Sequence, residues 1–96
     1  MIVHIVMFTF KEENKEKNIL KVKELLEGLS DKIDALISIE VGVNFDEAER
    51  AMDLSLYSKF ASKEDLNAYA IHPEHLKAVE FIKTVVSESK VVDYSL

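Results

Sequence analysis

The chain has 96 residues, 48% apolar and 31% charged, with a net charge of −6 at pH 7. That size and balance describe one globular domain (residues 1–96) with a thin core, and the acidic surplus argues against sequence-independent binding to nucleic acid, which needs a basic surface. With no cysteine present, disulfides, thiolate nucleophiles and the common zinc ribbons are excluded.

Residues 2–10, IVHIVMFTF, are rich in β-branched and aromatic side chains and predict a first strand. Its alternation places Ile2, His4, Val6, Phe8 and Phe10 on one face and Val3, Ile5, Met7 and Thr9 on the other. Both faces are mostly apolar, so both call for cover. The segment lacks a basic start and contains His4, which does not fit a signal peptide. No apolar run approaches the roughly 20 residues of a membrane span. A soluble, cytoplasmic protein is therefore expected.

Residues 15–29 predict a helix, with Ile19, Val22, Leu25, Leu26 and Leu29 at helical spacing and Asn14 as its cap. Residues 36–43, LISIEVGV, alternate as a second strand. Residues 52–60, MDLSLYSKF, alternate as a third, with Met52, Leu54, Leu56 and Phe60 opposing Asp53, Ser55, Tyr57 and Lys59. Lys11 and Lys59 read as solvated strand ends. Ser62, followed by Glu64 and Asp65, starts a second helix. Pro73 suits the first position of a new helix, with His72 held out of the α region before it. Leu76, Val79, Ile82, Val85 and Val86 form the stripe of that helix, and residues 90–96 close the chain as a short strand.

The order βαββαβ predicts an α+β, ferredoxin-like sandwich. Helices on one face of a four-stranded sheet leave the Val3, Ile5 and Met7 face open, and a monomer rarely exposes such a patch. Burying it, at about 25 cal/mol per Å², contributes several kcal/mol. The expected partner is a second copy of the chain, sheet against sheet. Asp53, Ser55, Tyr57 and Lys59 are then expected at the polar rim of that interface or paired across it.

The stretch AYAIHPEH, residues 68–75, holds the only proline, two of the three histidines and one of the three tyrosines. It admits three readings. His72 can cap the helix that Pro73 begins, a structural role. His72 and His75, three apart, resemble a pair of metal ligands, but His72 lies outside the regular helix, and the third ligand that such a site needs, His4 or Glu74, would have to be supplied by the fold; no metal or other cofactor is expected. The third reading is an acid–base site.

HIVMFTFK at the start, DLSLYSKF in the third strand and YAIHPEH in the second helix together resemble the stress-responsive dimeric α/β-barrel (Dabb) family, over nearly the whole chain. The resemblance implies a ferredoxin-like protomer and a homodimer whose two sheets form a barrel. In a plant polyketide cyclase of the family, a first-strand histidine and a tyrosine and histidine of the second helix carry the site. His4, Tyr69 and His75 occupy those positions here, and His72 matches the additional histidine of the motif. The resemblance therefore implies cofactor-free acid–base chemistry on a ketone or polyketide-like small molecule, in an apolar pocket between sheet and second helix. His75, in the first turn of a helix, is favoured as a neutral base by the helix dipole and by burial. Tyr69 can donate to an oxyanion, and His4 can orient His75 or bind a carbonyl. His72 and Phe8 are expected to contact the substrate. A non-catalytic stress-response or ligand-binding dimer, and by fold analogy a cofactor-free monooxygenase, are the alternatives.

Overall fold

A computed structural model describes residues 1–96. Its elements run β1 (Ile2–Phe10), α1 (Lys15–Glu27), β2 (Leu36–Val43), β3 (Leu54–Phe60), α2 (Lys63–Ala70), α3 (Pro73–Val85) and β4 (Val86–Ser95). The strands form one sheet in the order β2-β3-β1-β4, with every neighbouring pair antiparallel. This is the ferredoxin-like α+β sandwich expected from the element order.

The alternation of β1 and β3 decides which side chains meet the helices. Phe8, Phe10, Leu54, Leu56 and Phe60 join Ile19, Val22 and Leu26 of α1, and Tyr69, Ala78 and Ile82 of α2 and α3, in one buried cluster. Each large side chain so buried contributes about 1.5–3 kcal/mol. A 3-10 turn, Gly28–Asp31, follows α1 and keeps Leu29 in the core. The apolar period thus continues to Leu29 although the α-helix stops at Glu27.

Four local expectations are corrected. Asn14 does not cap α1 with its side chain; it turns left-handed (φ 53°, ψ 32°), and its carbonyl accepts from the Asn18 N–H at 2.9 Å. Asparagine tolerates that conformation better than most residues. The third strand starts at Leu54 rather than Met52, because Asp53 is used otherwise. Its carboxylate accepts the Phe10 N–H at 2.7 Å, its own N–H donates to the Phe8 carbonyl at 2.7 Å, and Lys15 Nζ lies 3.4 Å away. Asp53 therefore clamps the end of β1 inside the protomer. The last strand begins at Val86, four residues early, because Phe10 pairs with Val86 and the Lys11 N–H donates to the Val85 carbonyl at 2.8 Å. Helix α3 passes into β4 with no loop.

The fourth correction concerns the sheet face away from the helices. Val3 is fully buried, flanked in register by the long side chains of Lys59 and Tyr94. The remaining apolar surface is Ile5 and Tyr57, half-buried, with Met7, Val92 and Tyr94 exposed. No helix is long and apolar enough to cross a membrane.

Candidate active site

The site grows from the junction of α2 and α3. Ser62 opens α2 by accepting the Asp65 N–H at 3.1 Å. The helix ends at Ala70, and Pro73 starts α3 in a new direction. Between them, His72 is extended (φ −64°, ψ 136°), and its Nδ1 accepts the Glu74 N–H at 3.1 Å. The ring thus does what serine or aspartate usually does at a helix start. That bond commits Nδ1 as an acceptor, and the structure does not bring His72 to the cavity described below.

His75 stands in the first turn of α3, and its Nδ1–H donates to the Ala70 carbonyl at 3.0 Å. The bond ties the two helices across the bend and leaves Nε2 as the nitrogen open to a ligand. Burial holds its pKa below the usual imidazole value; the Ala70 carbonyl pulls upward, and the nearby His4 and His72 rings push it further down. The neutral ring is therefore favoured.

Tyr69 is buried beside it. Its ring lies 4.4 Å from that of His75, 5.0 Å from Phe60 and 6.4 Å from His4, centroid to centroid. Its hydroxyl has no hydrogen-bond partner. Burial pushes its pKa up to about 12, so the phenol stays protonated near neutral pH. A buried hydroxyl without a partner costs about 1–3 kcal/mol, an expense that packing alone does not call for.

His4 comes from the sheet. Its backbone carbonyl accepts the Ser58 hydroxyl at 3.0 Å, across the β1–β3 pair. On the other side it pairs in register with Asp93 of β4, and its Nδ1 donates to the Asp93 carboxylate. A carboxylate on Nδ1 fixes the ring's orientation and leaves Nε2 for other contacts. Sequence reasoning missed Asp93. Nothing in KVVDYSL marks it; the signal is the β1–β4 register, which exists only in the fold.

His4 and His75 line one cavity of about 400 Å³. Its apolar wall comes from Val6, Phe8 and Leu56 of the sheet, Leu26 of α1, and Val79 and Ile82 of α3. Its mouth is formed by Lys83, Val86 and the exposed residues Ser87, Glu88 and Ser89. Such a volume falls in the range of small-molecule sites. Phe8 is in the wall. Tyr69 touches the His75 ring but does not line the cavity. No three or more histidine, aspartate or glutamate side chains are gathered as a metal would require.

An α+β ferredoxin-like protomer with a cavity between its sheet and α3 is the class defined by this geometry. The chain matches the Stress responsive A/B Barrel Domain over residues 2–96, and belongs to that family. It is 27% identical, over 98% of its length, to the stress-response A/B barrel domain-containing protein DABB1 of Arabidopsis thaliana, of which it covers 46%. The chain spans less than half the length of the curated relatives it matches. Among solved structures, a dimeric ferredoxin-like protein of unknown function from Bacteroides fragilis superposes with a TM-score of 0.91 at 33% identity, over 99% of this chain and 95% of that one. The hydroxynitrile lyase of Passiflora edulis shares the fold, with a TM-score of 0.85 at 20% identity over 97% and 90% of the two chains.

Proposed function

We propose that the chain works as a homodimer through its open sheet face, and that its cavity carries out cofactor-free proton transfer on a ketone or polyketide-like small molecule. The observation that carries the chemistry is the convergence of two histidines from different layers, sheet and helix, on one cavity with an apolar wall. His75, kept neutral, is the base. Its Nε2 takes a proton from the carbon next to a carbonyl, and the C–H electron pair moves into the carbonyl to give an enolate. His4, oriented by Asp93, binds the carbonyl oxygen through Nε2–H when its ring carries a proton on both nitrogens, and Phe8 packs on the apolar part of the substrate. The dimer is supported by the apolar remainder of the open face and by relatives of the same fold described as dimeric.

One observation favours a second reading, a dimer that binds a small ligand without transforming it. The Tyr69 hydroxyl does not line the cavity, so it offers no oxyanion contact in this arrangement. Deuterium exchange at the α-carbons of 2-octanone in D₂O separates the two. Catalysis predicts acceleration by the protein, lost by about 10²–10⁴-fold in His75→Ala. An unchanged rate in that variant removes His75 as the base; binding of the ketone without any acceleration leaves the ligand-binding dimer. Tyr69→Phe sharpens the result. Removing an unpartnered hydroxyl is expected to raise stability by about 1 kcal/mol; a simultaneous loss of exchange rate gives the hydroxyl a role in the reaction.

A further inference from the structure

The mouth of the cavity carries both signs of charge, but they are not equally free. Glu88 Oε2 lies 3.5 Å from Lys90 Nζ, so its charge is answered within β4. Lys83, which lines the same cavity from the last turn of α3, has no carboxylate within ion-pairing distance. An ordinary task for a lysine there is to satisfy the carbonyls at the end of its helix. In this fold that task falls to Lys11, whose Nζ donates to the Thr84 carbonyl at 3.1 Å. Lys83 is left as an unpaired cation at the entrance of a cavity whose apolar wall is interrupted by His4 and His75 and whose mouth also carries Ser87, Glu88 and Ser89.

We propose that Lys83 makes this cavity selective for amphipathic carboxylates. The apolar body of the ligand packs on Phe8, Leu56 and Ile82, while its carboxylate meets the Lys83 ammonium at the mouth. This rests on the reading of the cavity as a ligand site and adds the ligand's class. A neutral ketone of the same length fills the same cavity without using Lys83. The reacting carbonyl and the carboxylate then sit at opposite ends of an oxo acid, one at the histidines and one at the entrance.

The test uses octanoate and 2-octanone as probes, titrated into the intact protein at fixed ionic strength and followed through the ring protons of His4 and His75. Wild type is expected to bind octanoate more tightly than 2-octanone. Lys83→Met should weaken octanoate about fivefold, the upper end for an exposed ion pair, and leave 2-octanone unchanged. Lys83→Arg should restore octanoate binding, which a general effect on the helix end does not predict, because such an effect would move both probes together. Equal losses for both probes in Lys83→Met, or no loss for octanoate, overturn the assignment. If 2-octanone shifts the histidine rings and octanoate does not, Lys83 alone loses its role. If neither probe shifts them, the ligand site itself falls, and this assignment with it.

Discussion

Strands β1 and β4 pair along the whole of β1, with one register shift between Thr9 and Phe10, yet their surroundings are opposite. Most of β1 is buried or half-buried, while β4 is exposed from Ser87 onward. The difference lies in what covers them. β1 is central in the sheet beneath the helices, whereas β4 forms an edge beyond them. The cavity lies along this boundary, with His4 on the covered strand and its partner Asp93 on the uncovered one. Backbone pairing fixes the register of a strand; burial is decided by the next layer. A side chain at such a border meets apolar cover on one side and open access on the other.

The contrast can be broken most severely from the covered side. Phe60 is fully buried and packs on Tyr69. Phe60→Ala should destabilise the fold by about 3–5 kcal/mol, read as a lower urea midpoint at fixed protein concentration. On the uncovered side, Val92→Glu should leave the protomer's secondary structure intact by circular dichroism. It should raise the dimer dissociation constant at least tenfold, about 1.4 kcal/mol, because a charge enters the proposed apolar interface. An unchanged sedimentation profile at micromolar concentration would remove that face from the dimer.

A smaller effect separates the two histidines flanking Pro73. His72→Ala removes the acceptor for the Glu74 N–H and should cost about 1 kcal/mol, with His72→Asn recovering most of it. Ligand binding at the cavity should be unaffected by either. The smallest effect expected is the pH dependence due to His75. Its folded pKa lies below its unfolded value, so the unfolded chain binds the extra proton first. Stability from this group is complete above the unfolded pKa of about 6.5 and declines as pH falls below it toward the folded value. Urea midpoints measured from pH 7.5 down to 5.5 should therefore fall less in His75→Gln than in wild type.

Much of the frame was legible because it is written in local signals. The alternation of IVHIVMFTF, the Ser62 cap and Pro73 at a helix start each act over a few residues, and each stands where it was read. The site was legible only in part. His4, His75 and Phe8 share the cavity; Tyr69 stands against His75 but off its wall, and His72 is spent on a cap. The position of His72 before Pro73 suggested a cap, but it did not exclude a substrate contact as well. The bend between α2 and α3 assigns one ring to a backbone N–H and the other to the cavity.

By itself, then, the sequence determined the order of elements, the sheet face that the helices cover and the helix junction, because periodicity, capping and the limits on proline are properties of neighbouring residues. Only the tertiary structure decided that Asp93 holds His4, that Asp53 clamps β1, that Val3 is sheltered on the open face and that Lys83 stands unpaired at the cavity mouth. These depend on register and layer contacts between residues far apart in the chain. A charge or a hydroxyl carries no local mark of which distant partner will meet it.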